Sequence, residues 1–169
     1  MATVDTLLDF TTISNDSSIG SAPWDPLYLD NVKVSDDTYC NTTGSSVPSY
    51  WLKGVHDGSN LISLDSVIEG IKVQVEAYFI SNLYTLYARL VKNGTISGTE
   101  KSLPSIAQTE LDYDYGGSTD MWGITLDAND INANNFGAVW RTSNTYPFNF
   151  IDYFRMHVYA FPGRMLMGM

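Results

Sequence analysis

Two histidines, one cysteine and nineteen acidic residues are the side chains of this 169-residue sequence from which catalysis or metal binding could be assembled. His56 lies in the turn-like segment Gly54-Val-His-Asp-Gly58, and His157 lies far away within an alternating apolar stretch. Neither belongs to an H-E-x-x-H or G-x-S-x-G pattern, so both read as structural residues rather than as a zinc site or part of a triad. Cys40 has Asp36, Asp37 and Tyr39 close by in sequence. A reactive thiolate needs an electropositive setting, and these neighbours work against it. As the single cysteine, it forms neither an intrachain disulfide nor a cysteine-based metal cage.

The acidic residues form the larger pool. Asp36, Asp37, Asp112, Asp114, Asp120, Asp127 and Asp130 sit in or near loop-like segments, where oxygen ligands for calcium can converge at one end of a sandwich. No segment matches the twelve-residue EF-hand loop, and such carboxylates serve more often as turn caps. A glycosidase would draw a carboxylate pair from the same pool, but nothing in the sequence selects one. Trp24, Trp51, Trp122 and Trp140 could stack on sugar rings, although large aromatics in strands belong mainly to cores. The expectation is no catalytic residue, no metal ligand and no cofactor.

These residues must be positioned by strands. In Gly70–Ile80, Ile71, Val73, Val75, Ala77 and Phe79 alternate with Lys72, Gln74, Glu76 and Tyr78, the period of a sheet with one face in the core. Ser81-Asn82 is a candidate turn into Tyr84–Lys92, with Leu86, Ala88 and Leu90 inward and Arg89 outward. Asn93-Gly94 is a hairpin signal because both residues tolerate positive φ, and Thr95–Lys101 follows as the next strand. Asp112–Gly117 reads as a loop and Thr119–Ile124 as a strand. Leu126–Asn135 is the one helical piece, capped by Asp127 and limited to one or two turns by its polarity. Phe136–Arg141 and Phe150–Phe161 close the set. On the last strand, Asp152, Phe154, Met156, Val158 and Ala160 share the expected core face. The pattern predicts an all-β, jelly-roll-type antiparallel β-sandwich with at most one or two short helical turns. It divides the chain into an N-terminal arm at 1–22 containing a short strand near Val4–Phe10, a sandwich at 23–161, and a tail at 162–169.

Charge narrows the partners. Hydrophobic residues make up 44% and charged residues 17% of the chain, which suits a folded domain. A formal net charge of −10 with nine basic side chains leaves no cationic cluster for nucleic acid or an anionic membrane. No apolar run approaches the roughly 20 residues needed to cross a bilayer. The N-terminus lacks signal-peptide character, and synthesis in a reducing cytoplasm is expected. The triplets at Asn15, Asn41 and Asn93 are therefore read as chance matches to the glycosylation pattern.

Three stretches together resemble a phage virion domain. They are Trp24-Asp-Pro26 with Asp36-Asp-Thr-Tyr39, the strand Gly70-Ile-Lys-Val-Gln-Val-Glu-Ala77, and the series Trp122-Gly-Ile-Thr-Leu126, Asn135-Phe-Gly137, Ile151-Asp-Tyr153 and Val158-Tyr159. Their order is similar to that in small jelly-roll structural proteins of tailed bacteriophages, over about residues 22–161. The resemblance implies a non-enzymatic virion protein made in the host cytoplasm. Its expected role is capsid decoration, as a homo-oligomer contacting capsid proteins. The alternative is a tail or fibre adhesin that binds host-surface glycans. The arm and the methionine-rich tail would fray if free, so both are expected to grip partners. The residues expected to do so are Leu7, Leu8 and Phe10 in the arm, and Met165, Leu166, Met167 and Met169 in the tail.

Overall fold

The Asn93-Gly94 turn lies at the centre of a set of nested strand pairs. The computed structural model describes residues 3–42, 47–58, 60–79, 84–104, 108–145 and 149–163. Its strands are β1 (Val4–Asp9), β2 (Thr12–Asp16), β3 (Cys40–Asn41), β4 (Trp51–Val55), β5 (Val67–Phe79), β6 (Thr85–Lys92), β7 (Thr95–Pro104), β8 (Leu111–Gly116), β9 (Gly137–Thr142) and β10 (Asn149–Phe161). A 3-10 turn spans Leu29–Val32, and the helix α1 spans Ala128–Ile131. Asn93 and Gly94 have φ of 52° and 75° and join β6 to β7 by a two-residue loop. These values suit the right-handed strand twist, so the local sequence sets this register.

Around that hairpin the chain folds back on itself antiparallel: β5 pairs with β8, β4 with β9, and β1 with β10. Two further pairings, β10 with β5 and β9 with β6, complete the sheets. One sheet runs β1-β10-β5-β8, with β3 also on β10, and the other runs β2-β4-β9-β6-β7. The nested pairing of β1 with β10, β4 with β9, β5 with β8 and β6 with β7 is the topology of a jelly roll. The chain is thus an all-β antiparallel sandwich.

The alternation read from the sequence becomes the core. Ile71, Val73, Val75, Ala77 and Phe79 of β5 face Leu86, Ala88 and Leu90 of β6, all without exposed surface. Trp140 of β9 bridges the layers: its Nε1 donates to the Tyr115 hydroxyl of β8 at 3.0 Å. Trp24 lies 5.6 Å from the Trp140 ring and donates its own Nε1 to the Tyr50 carbonyl. Burying an indole requires a partner for its N–H, and both are satisfied. Asp127 caps α1, as the sequence suggested, and the structure adds a reciprocal capping box with Asp130.

Several expectations are corrected. Residues 3–22 do not form a separate arm. β1 is hydrogen-bonded along β10 and β2 along β4, so this stretch adds a strand to each sheet. Leu8 and Phe10 are 1% and 2% exposed, and the Phe10 ring lies 4.6 Å from Phe154. The same ring occupies the space over Gly54 and leaves no room for a Cβ there. Asp112–Gly117, expected as a loop, falls largely within β8: Tyr113 and Tyr115 point inward, and Asp112 and Asp114 are exposed. Thr119–Ile124, expected as a strand, is a chain of turns. Trp122 and Gly123 have φ of 54° and 68°, which no pleated strand accommodates. The Ser81-Asn82 turn and the tail residues Met165, Leu166, Met167 and Met169 lie outside the described residues.

Candidate ligand-binding site

A one-residue irregularity in β10 creates the site. Ile151 is opposite Ala77 and Tyr153 is opposite Glu76, which leaves Asp152 as an extra residue. Such a bulge breaks the two-residue period and re-aims neighbouring side chains. Ile151 and Asp152 are consequently both buried, at 0% and 1% exposure, while Phe150 stays on the outer face opposite Tyr78. Asp152 is held beneath the 36–39 loop, where its Oδ1 accepts from the Asp36 amide at 3.3 Å. That loop turns through Asp37 at φ 61°, a conformation that aspartate tolerates better than most residues. It then enters β3, whose pairing of Cys40 with Ile151 and Asn41 with Phe150 brings Tyr39 alongside.

Tyr39, Tyr78 and Phe150 form an aromatic cup. Phe150 meets Tyr39 edge-on at 5.9 Å and Tyr78 at 5.7 Å, and with Thr109 and Glu110 these rings line an open pocket of about 400 Å³. Glu110 stands immediately before β8, and its Oε2 accepts from the Tyr39 hydroxyl at 3.2 Å. Its Oε1 is buried without a hydrogen-bond partner among the described residues. Burial, reinforced by the charges of Asp152, Glu76 and Asp37, pushes the Glu110 carboxyl above its ordinary range, while the Tyr39 hydroxyl partly offsets this. Burial and the adjacent Glu110 likewise push the Tyr39 phenol up to about 12. Oxygens of Asp37, Glu110 and Asp152 lie within 4.8 Å of one another. With one oxygen from each, three carboxylates supply at most half of the six to eight oxygens that calcium takes.

The other sequence candidates take structural roles. His56 is buried, accepting from the Gly58 amide through Nδ1 and contacting the Ile131 carbonyl through Nε2. His157 lies on the outer face of the first sheet, 3.1 Å from the Asp5 carboxylate. Cys40 is fully buried, and burial followed by Asp25 pushes its thiol up to about 12, which leaves it unreactive. Asp36 caps Thr38, Asp114 meets Lys72 and Gln74, and Asp120 meets Lys101 and the Trp122 amide. Asp127 and Asp130 cap α1. Of the acidic candidates, Asp37 is the one placed beside Glu110 and Asp152. All four tryptophans are at most 3% exposed, and the rings that line the cup are Tyr39, Tyr78 and Phe150 instead. Of the N-terminal partner candidates, Leu7 is exposed at 43%, whereas Leu8 and Phe10 are consumed by the core.

Asp152 left a trace in the sequence, as a carboxylate on the apolar face of a strand. Glu110 left none, because its place beside Tyr39 depends on a pairing of distant strands.

No family model matches the chain, and no curated protein matches it in sequence. Among solved structures it is similar to BiXyn10A CBM1 in its apo form, with a TM-score of 0.43 and 11% identity over 88% of this chain and 97% of that one. It is also similar to the Stig cyclase Fisc from Fischerella sp. TAU, with a TM-score of 0.41 and 9% identity over 95% and 100% of the two chains. A third similarity is to TmCBM61 in complex with β-1,4-galactotriose, with a TM-score of 0.34 and 9% identity over 91% and 90%.

Proposed function

We propose that this chain is a non-catalytic binding domain that takes a sugar ring into the Tyr39, Tyr78 and Phe150 cup. The observation that carries this reading is the open pocket of about 400 Å³ that three aromatic rings line together with Glu110. Sugars present an apolar C–H face and a rim of hydroxyl donors, and the cup offers a counterpart for each. Asp152 is 1% exposed, so it does not face Glu110 across open space as the second carboxylate of a hydrolase must. This favours binding over cleavage.

The resemblance to phage structural proteins suggests a particle surface as the setting, with the domain acting as a glycan-binding adhesin. Capsid decoration rests on that resemblance, the small size of the chain and its acidic charge, and the pocket favours the adhesin. A glycan array, followed by calorimetry on Phe150→Ala and Tyr78→Ala, tests the proposal. Each substitution should weaken binding about tenfold, the size of one aromatic contact of roughly 1.4 kcal/mol. An array without a bound glycan, or affinity unchanged in both variants, would overturn it.

A further inference from the structure

The shape of the cup limits how much of a glycan it takes. Tyr78 and Phe150 stand near the ends of β5 and β10, and Glu110 immediately precedes β8, so all three lie at one end of the first sheet. Their ring planes do not agree: Phe150 is inclined at 76° to Tyr39 and at 32° to Tyr78. A flat polysaccharide rests on several ring faces at once only where those faces are coplanar, and these rings surround a space instead. Tyr39 also forms a bar. It precedes β3, on the side of β10 away from β5, whereas Glu110 precedes β8 beyond β5. The 3.2 Å hydrogen bond from the Tyr39 hydroxyl to Glu110 Oε2 therefore crosses both β10 and β5. At its root, the Tyr39 carbonyl accepts from Asn31 Nδ2 at 3.1 Å. Further along the same face the described side chains are engaged with one another. The Tyr153 ring is covered by the Arg155 guanidinium at 4.7 Å, and its hydroxyl donates to Asp9. Arg155 donates to Gln74, and Gln74 donates to Asp114.

We infer that the cup takes one terminal sugar residue, at the end of a chain or on a branch, and excludes residues from the middle of a linear chain. This rests on the glycan-binding reading and specifies it. A mid-chain residue needs an exit for the chain on both sides of its ring, and the bar from Tyr39 to Glu110 closes one side. A terminal residue needs a single exit. Mid-chain binding also draws on subsites beyond the first ring, yet the next ring on this face, Tyr153, is already stacked by Arg155. Because Tyr39 is fastened at its carbonyl and its hydroxyl, little ordering of this wall is left to be done when a ligand arrives.

The test is calorimetry with the intact chain on the methyl glycosides of galactose, glucose, mannose and N-acetylglucosamine, and on the linear β-1,4 oligomers of each up to the hexamer. For the sugar that binds, every oligomer should match its methyl glycoside to within about threefold, with one protein on each oligomer. Tyr39→Ala removes the bar, so several registers of a hexamer become equivalent, and the hexamer should then exceed the methyl glycoside by about the number of residues it offers. In the wild type, affinity that rises about tenfold or more from methyl glycoside to hexamer, or binding of the oligomers alone, overturns the terminal-residue inference and leaves the glycan reading standing. Length independence retained in Tyr39→Ala takes the selectivity away from the bar and overturns the inference as well. Absence of binding to all of these sugars and to every glycan on the array removes both readings.

Discussion

Glu110→Gln offers a test of the site's electrostatics that needs no ligand. In the folded chain the Glu110 carboxylate has oxygens of Asp37 and Asp152 within 4.8 Å. Two unit charges about 4 Å apart repel by roughly 1 kcal/mol in water and several times that at lower effective dielectric. The pocket is open, so a value near the lower limit applies. Removing the Glu110 charge should therefore stabilise the free protein at pH 7 by about 1 kcal/mol. The sign with pH follows from linkage. Burial, with the nearby charges, raises the folded carboxyl above its unfolded value, so the folded state favours its protonated form. That contribution is present in full below the unfolded value and is lost as pH rises through the raised one. The gap between variant and wild type should be small near pH 4 and open toward pH 7. Urea unfolding midpoints measured across that range provide the assay. A variant less stable than wild type at pH 7, or an offset independent of pH, would refute the reasoning.

Two other perturbations examine the fold. Leu8→Ala removes a side chain that is 1% exposed and should cost about 2–5 kcal/mol in the isolated chain; an unchanged urea midpoint would return β1 to the status of an accessory arm. Trp140→Phe takes away the donor to the Tyr115 hydroxyl and should cost about 1–3 kcal/mol. Tyr115→Phe should then cost less in that background than in the wild type, and additive losses in a double-mutant cycle would show that the two layers are not coupled through this bond.

The architecture was legible where local pattern and burial coincide. The alternation in β5 and β6 reports which side chains face the core, and the Asn93-Gly94 turn reports its own backbone conformation. The same reasoning failed in β8, where aspartates and a terminal glycine hid the inward alternation of Tyr113 and Tyr115. It failed again at Thr119–Ile124, where Asp120 accepting from the Trp122 amide stabilises a turn that apolar content alone does not reveal. The polar N-terminus looked detached because β1 and β2 are outer strands whose buried residues are few, although Leu8, Phe10 and Ile13 are decisive.

By itself, then, the sequence determined the all-β class, the inward faces of the central strands, the capped turn of helix and the acidic balance of the surface. Each depends on residues close together in the chain. The tertiary structure alone decided that Tyr39, Tyr78, Glu110 and Phe150 share one pocket, and that Asp152 is carried beneath the 36–39 loop by a bulge. The physical reason is that jelly-roll pairing joins strands far apart in sequence. The charge and aromatic faces of this site come from segments far apart in the chain that meet only once β3, β5, β8 and β10 have paired in the first sheet.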